Sequence, residues 1–332
     1  MAVATGNITP PCIETYLTDV NRLFEQELRS VLPHVQQLIS HVGKFRGKML
    51  RPSLVLLSGL AVQNKPAESA QLGRTHIVLA AVVEMVHVAT LVHDDVLDSA
   101  EIRRRGATIN HLHGNEAAVL LGDLLISHAF HLCSSLESQS ASRLIGHTTN
   151  IVCEGELTQN HNRGNWKLDE ETYLDIIYRK TASLIETSCR LGAAGTNQDK
   201  RQIDALALYG RHVGMAFQII DDVLDIAGTQ KTVGKSLGTD IDKGKLTLPM
   251  IHFLSTAAPT HRELLMSLLE SSEADRVEHV RQLLIPSASM NYARRRAGQM
   301  VEDAVAALAV LPESQAKQIL IDMARFITVR QS

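Results

Sequence analysis

The chain has few cysteines, and their spacing excludes the common cysteine-based sites. Four cysteines, at positions 12, 133, 153 and 189, are scattered over 332 residues, and no pair has C-x-x-C spacing. The N-terminus also lacks the basic, apolar and small-residue order of a secretory signal peptide. We therefore expect free thiols in a reducing compartment and predict a cytoplasmic protein.

The chain also lacks an excess of charge of one sign. Its 33 basic and 36 acidic side chains give a net charge of −3 at neutral pH. Such a balance creates no long-range field that would recruit nucleic acid, so we predict no nucleic-acid partner. Any site for an anionic ligand must come from a local cluster of basic side chains.

Alternating runs of β-branched residues, which indicate strands, are missing as well. Long stretches rich in Ala, Leu, Ile and Val have helical periodicity instead, so we predict an all-α fold. The polar segment over 229–245 is expected to be a loop outside the core. The predicted helices cover residues 13–40, 52–62, 72–99, 115–136, 141–159, 170–193 and 201–227, with several shorter helices over 258–328.

No linker rich in Pro or Ser divides the chain, so we predict a single domain over 1–332, with residues 1–12 disordered. Residues 77–92 are almost continuously apolar, which raises the question of a membrane span. Glu84 and His87 interrupt this stretch, and it continues directly into His93 and Asp94. We therefore predict a buried central helix and no transmembrane segment.

The pentapeptide DDVLD occurs twice, at Asp94–Asp98 and at Asp221–Asp225, each time at the end of an apolar helical run. Because residues of a helix advance by about 100°, the first and last aspartates of each copy project within about 40° of each other. Such carboxylates repel one another unless a cation offsets them. Mg²⁺ suits this arrangement, since it retains waters and bridges carboxylates to phosphates. A solvated helix end remains the alternative for either copy alone.

Two clusters of basic side chains could provide counter-charges for a diphosphate. Lys48 and Arg51 lie where a predicted helix begins, and Arg103 and Arg104 follow the first motif after a short turn. Guanidinium groups and a carboxylate-bound metal can share one diphosphate. For Lys48 and Arg51 the alternatives are a solvated basic face or a nucleic-acid patch, and for Arg103 and Arg104 the alternative is ordinary ion pairing.

Further candidates lie along the rest of the chain. Lys180 is within a predicted helix, where it can also extend to solvent, and Lys235 and Lys245 lie in the glycine-rich segment, which can fold over a ligand. His87 precedes Asp94 by two helical turns and so points along the same stripe within about 20°. A buried histidine with a purely structural role is the alternative for this position.

These motifs together resemble the ordered set of the trans-polyprenyl diphosphate synthases. The resemblance rests on GKMLRP, HDDVLD with the following Arg-Arg, Gly122-Asp123, EGELTQ at 154–159, Lys180-Thr181, FQIIDDVLD and GKSLGTDIDKGK, which span most of the chain. Terpene cyclases of the wider family normally keep only the first aspartate-rich motif. The resemblance implies a single large helical bundle of the isoprenoid synthase type with a central cavity. It also implies condensation of isopentenyl diphosphate with an allylic diphosphate.

The resemblance further implies roles for individual residues. It assigns about three Mg²⁺ ions to the two motifs, with Asp94, Asp98 and Asp221 as ligands and with Asp95 and Asp225 assisting. Lys48, Arg51, His87 and Arg104 would bind isopentenyl diphosphate, and Arg103, Lys180 and Lys235 would bind the allylic diphosphate. Thr181 and Gln218 would face the reacting carbons. The family forms homodimers, and its apolar products imply transient membrane contact at release.

Small side chains before the first motif bear on product length. In the family, bulky aromatic residues four and five positions before the motif stop chain growth, and here these positions are Ala89 and Thr90. The helical wheel favours Thr90 and Val83 as residues that face the apolar tunnel, whereas Ala89 depends on the family pattern. A long-chain product is therefore predicted.

One departure and three alternatives stay open. The family usually reads Arg-Arg-Gly after the first motif, whereas Arg105 occupies the Gly position here and Gly106 follows it. A catalytically silent partner subunit, a short-chain farnesyl or geranylgeranyl synthase and a helical metal-dependent phosphohydrolase are the alternatives. The last is suggested by His87 and His93-Asp94, but it leaves the second DDVLD unexplained.

Overall fold

A computed structural model describes residues 11–43, 47–64, 69–103, 106–197, 199–228 and 238–329. The chain forms two compact units, each made of three segments. The first unit comprises residues 1–149, 184–210 and 307–323, and the second comprises 150–183, 211–306 and 324–332. The single domain inferred from the sequence stays a prediction.

The prediction of an all-α fold is confirmed. The helices in chain order are a 3-10 turn at Pro11–Ile13, α1 Glu14–Glu27, α2 Pro33–Gly43, α3 Leu50–Ala61, α4 Arg74–Leu97, α5 Ile109–Ser134, α6 Ser140–His161, α7 Glu170–Ile177, a π-helix at Tyr178–Ala182, α8 Ser183–Ala194, α9 Lys200–Ala227, α10 Thr239–Asp242, α11 Leu248–Thr256, α12 Pro259–Glu270, α13 Arg276–Leu284, α14 Ala288–Ala307, a 3-10 turn at Leu308–Val310, and α15 Gln315–Val329.

A small β-hairpin between α4 and α5 has no counterpart in the sequence-based prediction. Its strands, β1 Ile102–Arg103 and β2 Gly106–Ala107, pair antiparallel, with Ile102 opposite Ala107 and Arg103 opposite Gly106. Strands of two residues are too short to produce a visible alternation in the sequence.

The N-terminal helix predicted over 13–40 is in fact two helices. α1 ends at Glu27, and Pro33 begins α2, since proline is well suited to the first position of a helix. Between them the backbone N–H of Ser30 donates to Oε1 of Gln36 at 2.9 Å. The 3-10 turn starts at Pro11, inside the segment 1–12 expected to be disordered, and residues 1–10 lie outside the described residues.

α4 is the core helix of the first unit, and it packs against α1, α3 and α5. Its residues from Val78 to Val83 are each at most 2% exposed, so it is buried on every side. By length and composition alone, α4 and α5 are both apolar enough to cross a membrane. The core helix of a globular protein meets the same criteria. In α4 72% of the most apolar window is buried, against 39% in α5. α4 is therefore the buried central helix predicted from the sequence, whereas α5 keeps an exposed apolar face.

The polar segment over 229–245 is only partly described, and its second half departs from the prediction. Residues 229–237, including Lys235, lie outside the described residues. Residues 239–242 form α10, in which Ile241 is 1% exposed. The expectation that this segment stays out of the core was therefore wrong for α10, because one apolar side chain among polar neighbours is enough to anchor it.

Candidate active site

The first DDVLD motif forms the C-terminus of α4. The backbone N–H of Ala100 donates to the carbonyl of Asp95 at 2.9 Å, and that of Ser99 donates to the carbonyl of Val96 at 3.1 Å. This pair of bonds is a Schellman motif, which requires a left-handed residue after the helix, and Ser99 has φ of 49°. The turn stops the helix at Leu97 and leaves Asp94 and Asp98 half-buried at its end.

The middle aspartate of this motif is held by an arginine of the hairpin. Nε of Arg103 donates to both carboxylate oxygens of Asp95, at 2.8 and 2.9 Å, and its Nη2 lies 2.7 Å from Oδ1. The Asp95 side chain is 8% exposed and that of Arg103 is 21% exposed. The two residues assigned to metal and to allylic diphosphate therefore bind each other, which keeps a buried carboxylate neutralised.

The residue before this motif explains the Gly-Asp pair of α5. Nε2 of His93 lies 3.1 Å from the carbonyl oxygen of Val119 and 3.5 Å from Oδ1 of Asp123. A Cβ at Gly122 would collide with the His93 ring, so α4 and α5 can approach closely only with glycine there. Gly122 is therefore a packing requirement next to the motif.

The second DDVLD motif lies within α9, which continues past it to Ala227. Its middle aspartate, Asp222, is 5% exposed and accepts two hydrogen bonds from uncharged donors. The hydroxyl of Tyr173 donates to Oδ2 at 2.6 Å, and Nε2 of Gln218 donates to Oδ1 at 2.8 Å. The carboxyl group thus joins α7 to α9.

The last aspartate of the second motif caps a short helix. Oδ1 of Asp225 accepts from the backbone N–H and the hydroxyl of Thr239, at 3.3 and 2.8 Å, and Oδ2 accepts from the backbone N–H of Asp240 at 3.2 Å. These bonds satisfy N–H groups that the first turn of α10 leaves without helical partners. Both oxygens of Asp225 are engaged here, so the assisting metal role inferred for it competes with this cap.

Burial of acidic groups raises their pKa values in the second unit. The pKa of Asp222 lies well above its usual value, mainly because of burial and then because of the Asp240 charge. The bonds from Tyr173 and Gln218 oppose this shift. Burial and the Asp225 carboxylate raise the pKa of Asp240 to about 6, against the opposing effect of nearby lysines, of which Lys245 contributes most. Asp222 and Asp225 of α9 thus lie close enough to Asp240 of α10 for their charges to interact.

A π-helix carries the Lys-Thr pair. The ammonium of Lys180 donates to Oε1 of Gln159 at 2.9 Å and forms an ion pair with Glu156. The hydroxyl of Thr181 donates to Oε1 of Gln218 at 2.9 Å. Single-turn π-helices inside α-helices are often found at functional sites. Both side chains are held in place by groups on α6 and α9.

Gly155 makes this arrangement possible. A Cβ at this position would lie 2.6 Å from Cβ of Arg179 and 2.8 Å from the backbone nitrogen of Lys180. Arg179 is also held from two sides, since Nη1 donates to Glu154 at 2.6 Å and Nε donates to Asp175 at 2.7 Å. The EGELTQ segment of α6 therefore fixes the π-helix by close backbone approach as well as by charge.

These groups surround a cavity of about 100 Å³ within the second unit. Its lining combines apolar side chains of α7 with polar and charged groups of α6, the π-helix and α9. The residues that line it are Gln159, Asn162, Leu168, Tyr173, Ile176, Ile177, Lys180, Thr181, Gln218, Asp222, Asp240, Lys245, Leu246 and Thr247. Four residues singled out in the sequence therefore meet in one place, namely Lys180, Thr181, Gln218 and Lys245.

The sequence-based reasoning missed other residues of this cavity. Tyr173, Asp222 and Asp240 were given no role, although Asp222 follows Gln218 by four residues, a spacing that places two side chains together on a helix. Tyr173 has no such local signal, because its partner is 49 residues away.

Other predicted residues lie in the first unit. Lys48 is exposed just before α3, and Arg51 is half-buried in its first turn. On α4, His87 and Thr90 are half-buried, and the Thr90 hydroxyl donates to the His87 carbonyl at 2.8 Å. Val83 and Ala89 are fully buried. Arg104, Arg105 and Lys235 lie outside the described residues.

The carboxylates are compatible with Mg²⁺ but do not form a closed cage. Within the described ranges, no group of three or more His, Cys, Asp or Glu side chains is arranged to hold a metal ion. Mg²⁺ keeps several waters and binds through one or two carboxylates and substrate phosphates, so an open pair such as Asp94 and Asp98 suits it. Zinc, which prefers four ligands that include Cys or His, does not fit these oxygen donors.

Comparison with known proteins places the chain in a family. The family model described as "Polyprenyl synthetase" matches residues 32–285. The chain belongs to the polyprenyl synthetase family. Its relatives include the octaprenyl diphosphate synthase of Escherichia coli, 32% identical over 95% of each chain. They also include a short chain isoprenyl diphosphate synthase of Methanothermobacter thermautotrophicus, 35% identical over 88% of this chain and 89% of the relative.

Solved structures of this family have the same fold. The polyprenyl synthase of Caulobacter crescentus, complexed with calcium and isoprenyl diphosphate, has a TM-score of 0.88 and 31% identity, covering 96% of each chain. A decaprenyl diphosphate synthase of Rhodobacter capsulatus has a TM-score of 0.89 and 31% identity, covering 96% of this chain and 97% of its own. The isoprenoid synthase fold expected from the resemblance is therefore confirmed.

Proposed function

We propose that this chain condenses isopentenyl diphosphate with an allylic diphosphate to make a long-chain all-trans polyprenyl diphosphate, with Mg²⁺ as the metal. The observation that carries the proposal is the cavity of the second unit, in which Lys180, Thr181 and Gln218 meet beside a DDVLD motif. A cation and neutral oxygens side by side suit a diphosphate and the electron-poor carbon that it leaves. Family membership and the calcium-bound relative support the same reaction.

The two aspartate-rich motifs are the proposed metal sites. Asp94, Asp98 and Asp221 would hold about three Mg²⁺ ions, the number that the family resemblance implies. Asp95 and Asp225 assist by fixing the surrounding structure, because their oxygens bind Arg103 and α10. Bound Mg²⁺ would supply positive charge that stabilises the diphosphate as it leaves the allylic carbon.

The chain's own residues support each step of this reaction. Lys180 binds the departing diphosphate after exchanging one of its present partners, Gln159 or Glu156. The side-chain oxygens of Thr181 and Gln218 stabilise the allylic cation until the double bond of isopentenyl diphosphate attacks it. Loss of a proton from the adduct, to the departing diphosphate, restores a double bond. The apolar lining residues Leu168, Ile176 and Ile177 would keep water from the cation.

Isopentenyl diphosphate is proposed to bind among the basic groups assigned to it. Lys48, Arg51 and His87 belong to the first unit, and the exposed Lys48 is available to an anion from solvent. Arg104 and Lys235 complete the proposed set as residues named from the family resemblance alone.

Long-chain specificity is supported by the small side chains of α4. Ala89 and Thr90 are small residues at the positions where the family places blocking aromatic residues, and octaprenyl and decaprenyl synthases are among the relatives. Ala89→Phe and Thr90→Phe should therefore shorten the product, as chromatography of the dephosphorylated alcohols would measure. A product profile identical to that of the wild type for both variants would refute the role of this helix in product length.

We further propose that the protein forms a homodimer through α5. Three large apolar side chains of this helix are exposed, with Leu112 at 49%, Val119 at 41% and Leu120 at 68%. Exposed apolar patches of this kind mark interaction surfaces. Sedimentation analysis of the wild type and of Leu120→Glu tests the interface, since a charge there should shift a dimer towards monomer.

Incubation of the purified chain with labelled isopentenyl diphosphate, several allylic primers and Mg²⁺ tests the function. Formation of polyprenyl diphosphate with release of inorganic diphosphate is expected. Inactivity of the chain alone would favour a silent partner subunit, a role to be compared with heptaprenyl diphosphate synthase component 2 of Bacillus subtilis, 32% identical over 94% of this chain and 87% of the relative. Release of inorganic phosphate instead would favour a phosphohydrolase.

A further inference from the structure

Tyr173 begins a chain of hydrogen bonds that ends at Thr181. Its side chain is 3% exposed, and its hydroxyl donates to Oδ2 of Asp222 at 2.6 Å. The other Asp222 oxygen accepts from Nε2 of Gln218 at 2.8 Å, and Oε1 of Gln218 accepts from the Thr181 hydroxyl at 2.9 Å. All four residues line the same cavity. We infer that Tyr173 is a positioning residue, which orients the Thr181 hydroxyl through Asp222 and Gln218.

The direction of these hydrogen bonds explains how Tyr173 can orient the Thr181 hydroxyl. Oδ1 of Asp222 accepts from the amide nitrogen of Gln218, so the amide oxygen of Gln218 is turned towards Thr181. That oxygen takes the single proton of the Thr181 hydroxyl. The lone pairs of Thr181 are then left for the cavity, where an electron-poor carbon is stabilised by a fixed oxygen. The inference therefore rests on the proposed prenyl transfer and deepens it.

Tyr173 matters because Asp222 is buried. Among the described residues, Tyr173 is the only donor to Oδ2 of Asp222. A buried acceptor without a donor is costly, so loss of the hydroxyl should destabilise the present orientation of the Asp222 carboxyl group. Gln218 then loses the bond that fixes its amide. Tyr173→Phe should lower kcat on the order of 10-fold and leave KM within about twofold, because the ground-state contacts of the diphosphates are unchanged.

Tyr292→Phe is a matched control for general loosening of α7. The hydroxyl of Tyr292 donates to Oε2 of Glu170 at 2.7 Å, and Glu170 is the first residue of α7. Both tyrosines thus anchor α7 by one hydroxyl, but only Tyr173 belongs to the series of hydrogen bonds that reaches Thr181. Tyr292→Phe should keep kcat within about twofold of the wild type. An equal loss in both variants would mean that Tyr173 only holds α7 in place, which overturns the inference.

A double-mutant cycle with Thr181→Val provides the deciding measurement. If Tyr173 acts through Thr181, the roughly 10-fold effect of Tyr173→Phe on kcat should shrink to about twofold or less in the Thr181→Val background. Independent effects that multiply would overturn the inference. Thermal unfolding of all variants, measured alongside, identifies any loss of fold. Wild-type protein without prenyl transfer would refute the proposed function itself, whereas active wild type with a fully active Tyr173→Phe variant refutes the inference alone.

Discussion

The same five residues, DDVLD, have different surroundings at their two occurrences. At Asp94–Asp98 the motif ends α4, and a Schellman turn with Ser99 in the left-handed region follows it. At Asp221–Asp225 the motif is inside α9, which continues for two more residues. The flanking sequence, and not the pentapeptide, therefore decides whether the helix stops.

The two middle aspartates, Asp95 and Asp222, also have different surroundings. Asp95 is paired with a charged guanidinium eight residues further on, whereas Asp222 accepts bonds from the uncharged Tyr173 and Gln218. The last aspartates differ too, because Asp225 caps α10 through both oxygens. Each copy of DDVLD thus contains aspartates that stabilise the fold and aspartates that are proposed to bind metal. The aspartates that stabilise the fold occupy different positions of the motif in the two copies.

The largest effect should come from the first aspartate of either motif. Asp94→Ala and Asp221→Ala should each lower turnover on the order of 10²-fold or more, because both remove a proposed ligand of the charge that stabilises the departing diphosphate. Steady-state prenyl transfer at saturating Mg²⁺ measures this. Asp19→Ala, on the surface of α1, serves as the control and should be fully active. Near-normal turnover in one variant would remove that motif from the metal site.

A smaller effect should separate the two middle aspartates. Asp95→Asn leaves the Arg103 charge without its carboxylate and should reduce the free energy of unfolding by about 2 kcal/mol. Asp222→Asn should cost less than about 1 kcal/mol, because an amide still accepts from Gln218 and donates to the Tyr173 oxygen. Burial already disfavours the charge at this position, as its raised pKa indicates. Urea unfolding without Mg²⁺ measures both, and equal losses would contradict the distinction.

Substitution of the last aspartate should affect Mg²⁺ binding in the first motif and local helix stability in the second. Asp98→Ala should raise the Mg²⁺ concentration for half-maximal turnover by about 10-fold, as expected for a metal ligand. Asp225→Ala should instead remove the cap of α10, worth about 1 kcal/mol, and speed hydrogen exchange over 239–242. A Mg²⁺ titration combined with hydrogen exchange separates these outcomes. A similar Mg²⁺ shift in both variants would show that Asp225 is a ligand of equal weight.

The smallest effect concerns the turn that only the first motif has. Ser99→Gly should stabilise the protein by about 0.5–1 kcal/mol, because glycine tolerates the left-handed conformation that serine adopts there at some cost. Ser135→Gly is the control, since Ser135 follows α5 with φ of −73° and gains nothing from glycine. Thermal unfolding compares the two. A lower melting temperature for Ser99→Gly would show that its side chain is needed at the turn.

Much of the fold could be predicted from the sequence, because helical periodicity is strong in this chain. The predicted helix over 201–227 differs from α9 by one residue, and the apolar stretch over 77–92 is inside the buried α4. The break at Pro33 was missed although proline provides a local signal. The π-helix has no such local signal, and its close contact with Gly155 is made by a residue of another helix.

The residue types of the site could be predicted from the sequence, but the role of each individual residue could not. Sequence patterns pointed to Lys180, Thr181, Gln218 and Lys245, and these do line one cavity. That Asp225 caps a helix and that Tyr173 meets Asp222 depends on contacts between residues far apart in the chain. Such contacts are set by tertiary packing, about which local sequence patterns carry no information.

Gly155 offers a criterion for sorting paralogues. A gene duplicate can retain every aspartate and lysine of this chain and still carry a side chain at 155, where even a methyl group would meet the backbone of the π-helix. Its Lys180 and Thr181 equivalents would then be displaced, although a motif search would score it as complete. Prenyl-transfer activity should be assigned to homologues of that kind only after an assay.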